Sequence, residues 1–189
     1  PAFGFDPEFA FFTLKLKDNG KIISRVLQGP PRNPQPVHDG MTGKRSSGEG
    51  LPHFARNTFE SAFPFACVNL EDNQVPVTVK LEAFNPFIPM DDTNSSIPTA
   101  ILLYEVTNTS KRKLEGAIYG TLPNLAGGSD PEGKTAERKD DELLSGLWYS
   151  TSKYGPEDPR FGTMALATPF DKTIIWPRWG GHPQSALQQ

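Results

Sequence analysis

The sequence predicts an all-β fold, an antiparallel two-sheet β-sandwich with little helix, on three observations. Apolar and polar residues alternate over short runs such as Phe12 to Lys17 and Val75 to Ala83, the period of a half-buried strand. Turn residues separate the runs, with 19 prolines and 17 glycines in 189 residues. No segment carries a strong amphipathic helical period, and no strand–helix alternation suggests a parallel sheet.

Phe12-Thr13-Leu14-Lys15-Leu16-Lys17 places Phe12, Leu14 and Leu16 on one face of a first strand. Asp18-Asn19-Gly20 follows with residues that tolerate positive φ, and Ile22 to Leu27 returns as the second arm of a hairpin. Gly29 to Gly50 is dominated by Pro, Gly, Ser and basic residues and reads as a long surface loop. A strand is expected over Phe63 to Leu70, a break at Glu71-Asp72-Asn73, and a hairpin partner over Val75 to Ala83. Thr99 to Val106 is apolar at nearly every position, which predicts a central strand covered on both faces. Asn108-Thr109-Ser110 closes it, and Leu114 to Thr121 is expected as its neighbour. After a polar, Gly-rich stretch, Leu143 to Ser150, Thr163 to Thr168 and Thr173 to Trp176 supply three more short strands. Ala136 to Leu144 is the one place for a helical turn or two. The sum is about nine strands with no internal repeat.

Composition excludes several functions. Nineteen Lys and Arg against 22 Asp and Glu give a formal charge of −3, and Lys111-Arg112-Lys113 is only a local cluster, so no broad positive field exists for nucleic acid. Cys67 stands alone, which rules out an internal disulfide, and His38, His53 and His182 are too scattered for a Cys/His metal site. No run of about 20 apolar residues offers a transmembrane segment. Neither a Gly-x-Ser-x-Gly elbow nor a His-Glu-x-x-His helix is present. No metal and no cofactor are expected.

Gly128-Ser129-Asp130-Pro131-Glu132-Gly133-Lys134-Thr135 has the spelling of a phosphate-binding loop. Asp130 and Glu132 would put negative charge where phosphate sits, and Pro131 removes an N–H donor, so the spelling reads as a turn. Asp91-Asp92 and Asp140-Asp141-Glu142 read as solvated loop charge, although two carboxyl groups such as Asp91 and Glu105 would serve glycoside hydrolysis if they converged about 5–9.5 Å apart. Trp148, Tyr149, Trp176 and Trp179 are either core aromatics or a platform on which sugar rings stack through their apolar faces. Asn94-Ser95-Ser96 and Asn108-Thr109-Ser110 have the spelling of glycosylation acceptors.

Leu81-Glu82-Ala83-Phe84-Asn85-Pro86-Phe87-Ile88-Pro89, with Asn94-Ser95-Ser96-Ile97-Pro98 and Tyr104-Glu105-Val106-Thr107-Asn108, resembles the N-terminal domain of glycoside hydrolase family 116, the bile-acid β-glucosidase and non-lysosomal glucosylceramidase family. Phe63-Pro64-Phe65-Ala66 and Gly162 to Thr168 extend the similarity, which spans about residues 9 to 179. The resemblance implies a supersandwich-like domain over residues 1–179, with 180–189 beginning a linker to a helical (α/α) barrel. In the family that barrel carries the catalytic carboxylates and cleaves β-glucosides, including glucosylceramide. No catalytic residue is therefore assigned within this chain, and the barrel is its expected partner. Asn85, Asp91 and Asp92 sit at the motif's corner as candidates for a domain interface or the rim of a sugar pocket. An independent carbohydrate-binding module is the alternative.

Overall fold

The computed structural model describes residues 10–30 and 51–177. Those residues form ten strands and one short helix: β1 Phe11–Asp18, β2 Lys21–Val26, β3 Arg56–Ala62, β4 Phe65–Glu71, β5 Val77–Phe84, α1 Asp92–Ser95, β6 Ile101–Asn108, β7 Glu115–Thr121, β8 Lys134–Asp140, β9 Ser145–Thr151 and β10 Met164–Thr168. The fold is all-β with antiparallel sheets, as expected. The chain divides into two units, residues 1–120 and 121–189.

The first unit holds a three-stranded sheet in the order β2-β1-β7 and a four-stranded sheet in the order β3-β4-β5-β6. The first hairpin follows its turn chemistry. Asp18 pairs with Lys21, leaving Asn19 and Gly20 at φ of 49° and 85°, the left-handed geometry that matches strand twist in a two-residue hairpin. Leu14 and Leu16 of β1 meet Leu70 of β4 and Val77 and Val79 of β5 in one buried cluster with Leu27, Phe54 and Val75. This contact between two sheet faces makes the unit a sandwich.

Two further devices close it. On β7, a Cβ at Gly116 would lie 2.6 Å from Leu16 and one at Gly120 2.6 Å from Phe12, so glycine lets this strand lie against the large side chains of β1. At the β4–β5 turn, the Asp72 carboxylate accepts from the Gln74 backbone N–H at 2.8 Å and the Arg25 Nε at 2.9 Å. Burial opposes ionisation of Asp72, but those two bonds and the Arg25 charge outweigh it and hold the carboxyl below its usual range. The pair ties β2 to the other sheet's turn.

The second unit is a meander in the order β10-β9-β8. Asn124 fixes the preceding loop to it, donating through Nδ2 to the Thr135 and Ser150 carbonyls at 2.8 and 2.9 Å. On β9, a Cβ at Gly146 would lie 2.5 Å from the Leu166 carbonyl oxygen, so the close approach of β10 requires glycine there.

Several expectations are corrected. Thr99 to Val106 is not a central strand: β6 lies at the edge of its sheet, and Ile101, Leu102 and Leu103 are exposed. The doubly covered strand is β1, where Phe11 and Thr13 are buried as well as Leu14 and Leu16. Leu114 to Thr121 does not neighbour β6, because β7 pairs with β1 in the other sheet. The polar strand β3 was not expected. Its pairing with β4 replaces an unbroken strand from Phe63, which instead lies in the turn before β4. Ala136 to Leu144 is not helical but contributes β8 and the turn after it, and Thr173 to Trp176 forms no strand. Residues 31–50 of the expected surface loop, the histidines at 38 and 182, Trp179 and the 180–189 tail lie outside the described residues.

Candidate functional site

The corner between β5 and β6 is built by its own side chains. Asn85 Nδ2 donates to the Thr99 carbonyl, clamping the loop's two ends. Asp91 is the N-cap of α1: Oδ1 accepts the Asn94 backbone N–H at 2.9 Å, and Oδ2 accepts Asn94 Nδ2 at 2.6 Å. An extended residue with a short acceptor side chain suits this position, because it satisfies an orphan helix donor. Ser95 Oγ accepts from the Ile88 N–H at 2.9 Å and donates to the Ile88 carbonyl at 3.0 Å. Met90 stands between them at φ 67° with a fully exposed side chain.

These contacts define what the corner's carboxylates can do. The backbone and side-chain donors of Asn94 lower the pKa of Asp91, so it is held ionised, the opposite of the raised pKa a general acid needs. Asp92 is exposed in the helix's first turn. Glu105 lies on β6 opposite Lys80. The other acidic run is spent on a turn: Asp140 pairs with Arg138 at 2.7 Å, and Asp141 Oδ1 accepts the Leu143 and Leu144 N–H groups at 2.7 and 2.8 Å. No group of three or more potential metal ligands occurs among the described residues.

Around the corner lies an apolar surface whose residues the sequence reading did not single out. Phe63 and Phe87 stack edge to face with centroids 5.1 Å apart, and Phe65 meets Phe84 at 5.4 Å. Phe65 pairs across the strands with Phe84, which pairs with Ile101, so these side chains share one face. Leu103, two residues on, extends it. Charge begins in the same row, where Glu82 stands opposite Leu103, and continues at Lys80 and Glu105, with Lys80 and Glu82 ion-paired at 2.6 Å. For Ile101 and Leu103 the apolar signal was present in the sequence, but the assumption of a central β6 assigned it to the core.

In the second unit, the phosphate-loop spelling is a turn. Lys134 starts β8, and its ammonium donates to the Asn124 and Gly128 carbonyls at 2.6 and 2.7 Å. Asp130 accepts from Tyr154 Oη at 2.6 Å and pairs with Lys153 at 2.8 Å; the Lys153 and Tyr154 hydrogen bonds hold its carboxyl far below the usual range. Arg160 is bound by Asp158, lies 3.9 Å from the centre of the Tyr154 ring, and holds the Asp158 pKa near 2. An open groove of about 390 Å³ runs beside this network, lined by Leu125, Phe161 and Met164.

Of the aromatic candidates, Trp148, Tyr149 and Trp176 lie among the described residues. Trp148 and Tyr149 are consecutive on β9 and so point to opposite faces. Tyr149 is buried, whereas Trp148 is 37% exposed with the Lys139 ammonium 4.5 Å from its ring centre. Trp176 is 59% exposed.

Comparison with curated proteins returned no match. Residues 7–184 match the family described as beta-glucosidase 2, glycosyl-hydrolase family 116 N-term. That match takes in both units and the corner motif from Leu81 to Pro98, and the chain belongs to glycosyl-hydrolase family 116 as its N-terminal domain.

Proposed function

We propose that the chain is a non-catalytic supporting domain of a β-glucosidase, holding in place a catalytic (α/α) barrel that cleaves β-glucosides, with glucosylceramide among its substrates. The family match over residues 7–184 carries this reading. The local use of the carboxylates agrees with it. Asp91 caps a helix, Asp130 binds Lys153 and Tyr154, and Asp141 closes a turn, so each serves the backbone or a fixed ion pair. Asn85, Asp91 and Asp92 act here as the rigid corner of a domain interface or pocket rim.

The test is hydrolysis of a chromogenic β-glucoside by three samples: this chain, the remainder of the complete protein, and the two together. Activity that needs both pieces supports the reading. Turnover by the chain alone overturns it and returns Asp91 and Glu105 to consideration. A carbohydrate-binding module is the second reading, favoured by the exposure of Trp148 and Trp176; glucan-induced quenching of tryptophan fluorescence that disappears in Trp176→Ala would support it.

A further inference from the structure

Positive charge is unevenly distributed over the first unit. Among its described cations, Arg25, Arg56, Lys80 and Arg112 are each paired with a carboxylate at 2.6–3.2 Å. Lys15, Lys17, Lys21, Lys111 and Lys113 have no such partner among the described residues, and all five lie on the β2-β1-β7 sheet or in the loop that leads into β7. The acids without an ion pair, Glu60, Asp91, Asp92 and Glu105, lie on the four-stranded sheet or its corner, and Glu115 at the start of β7 is the one such acid described on the lysine-bearing sheet.

Folding gathers these lysines from segments far apart in sequence. Arg112 forks onto Asp18, with Nε on Oδ1 at 2.9 Å and Nη2 on Oδ2 at 2.6 Å. That bidentate pair pins the 108–113 loop to the β1–β2 turn and neutralises the carboxylate of the turn. The loop is itself fixed: Asn108 Oδ1 accepts the Ser110 N–H at 2.9 Å, Asn108 Nδ2 donates to the Arg112 carbonyl at 2.7 Å, and the Thr109 N–H bonds the Pro76 carbonyl at 3.0 Å. Lys111 and Lys113 flank the spent guanidinium, and both are exposed. Lys17 and Lys21 are exposed on either side of the turn, Lys21 opposite Asp18 and Lys17 opposite Ile22, which is 50% exposed. Lys111-Arg112-Lys113 is a local cluster in sequence, but in the fold it is half of a larger patch.

The chemistry of the patch narrows its partner. Ammonium groups on flexible stems suit a surface of many phosphates, whereas one oriented anion is better held by a planar guanidinium, and the guanidinium here is taken by Asp18. Residues 15–22 and 108–115 contain no aromatic side chain, so the patch offers neither a stacking platform for bases nor a free Arg fork to read them. Clusters of about 4–8 basic residues are held by anionic lipid, each residue contributing roughly fivefold in binding. Ile22 beside Lys17 adds an apolar side chain for the headgroup layer.

We propose that the β1–β2 turn and the 108–113 loop form a docking surface for an anionic phospholipid membrane, with Lys17, Lys21, Lys111 and Lys113 at the headgroups and Ile22 among them. Lys15, half-buried on the same face as Lys17, adds its charge from behind. The inference is independent of the supporting-domain reading.

Flotation of the complete protein with lipid vesicles tests it. At about 0.1 M salt, the bound-to-free ratio on phosphatidylcholine vesicles containing about 30 mol% phosphatidylserine should exceed that on pure phosphatidylcholine by about tenfold or more. The excess should vanish near 1 M salt, where the screening length is about 3 Å. Lys111→Glu with Lys113→Glu should remove the excess without changing the melting temperature. Lys139→Glu with Lys172→Glu, an equal change in net charge made at exposed positions of the second unit, should leave it intact. Ile22→Ser, which leaves every lysine in place, should lower the ratio about fivefold with the same salt dependence. Equal binding to the two vesicles overturns the proposal, as does an excess that survives the reversal at Lys111 and Lys113. So does release by millimolar inorganic phosphate, which would assign the lysines to a single-phosphate site, or binding of a short RNA in place of the vesicles, which would assign them to nucleic acid.

Discussion

Phenylalanine 54 offers the most direct check on the fold, because the same substitution can be made at a bare position in the same unit. Phe54 is completely buried among Leu14, Leu70 and Val79, and its backbone N–H bonds the Gln28 carbonyl at 3.1 Å. Phe54→Ala removes a full aromatic side chain and leaves a cavity that a two-sheet core cannot close, costing about 3–5 kcal/mol. Phe65 is more than half exposed, so Phe65→Ala should cost about 1 kcal/mol, the share of a 1.5–3 kcal/mol burial it actually has. Against a typical total of about 5–15 kcal/mol, the first change is large and the second small. With a urea slope near 2 kcal/mol/M, Phe54→Ala moves the unfolding midpoint by about 2 M and Phe65→Ala by about 0.5 M. The readout should be hydrogen exchange of β4 and β5 amides across a urea series. Tryptophan fluorescence would report the wrong unit, since no tryptophan precedes Trp148. Equal costs for the two substitutions would show that the core does not lie between β1 and the β4–β5 pair.

Three further expectations concern charge, the false motif and close packing. The depressed Asp72 carboxyl stabilises the fold above its unfolded pKa near 4, and that stabilisation is lost as pH falls through the folded value; Asp72→Asn should cost about 2 kcal/mol at pH 7, a gap to wild type that narrows in urea titrations at pH 3. Lys134→Met should raise proteolytic cleavage within residues 124–134, because two carbonyls lose their ammonium donor, while magnesium–ATP should leave the melting temperature of the wild-type chain unchanged; a nucleotide-dependent shift would revive the phosphate-loop reading. Gly146→Ala forces a Cβ against the Leu166 carbonyl, so it should cost about 1–3 kcal/mol and accelerate hydrogen exchange along β10, with Gly128→Ala as a comparison made where space is open but φ is 63°.

What the amino-acid order determined is the local part of the structure. Alternation in Phe12 to Lys17 and Val75 to Ala83 specifies a strand and its buried face, because successive side chains point to opposite sides. Asn19-Gly20 specifies a two-residue hairpin, because both residues accept positive φ. The motif from Leu81 to Pro98 carried the family and its corner, since Pro86, Pro89 and the Asp91 cap act on their own neighbours.

Tertiary structure decided which strand sits beside which, and therefore which apolar residues are buried. Ile101 to Val106 reads as core by composition, yet β6 is an edge strand. Burial comes from neighbours distant in sequence, and none of that is written in the strand itself. Arg56 to Ala62 shows the converse: it has almost no apolar period, but seven residues pair with β4 because that strand offers a free ladder of backbone donors and acceptors. The same nonlocal arrangement leaves Phe63, Phe65, Phe87, Ile101 and Leu103 on one bare surface, although 40 residues separate its ends. Sheet order brings the strand residues together, and the turn at Phe63 and the loop at Phe87 add the rest.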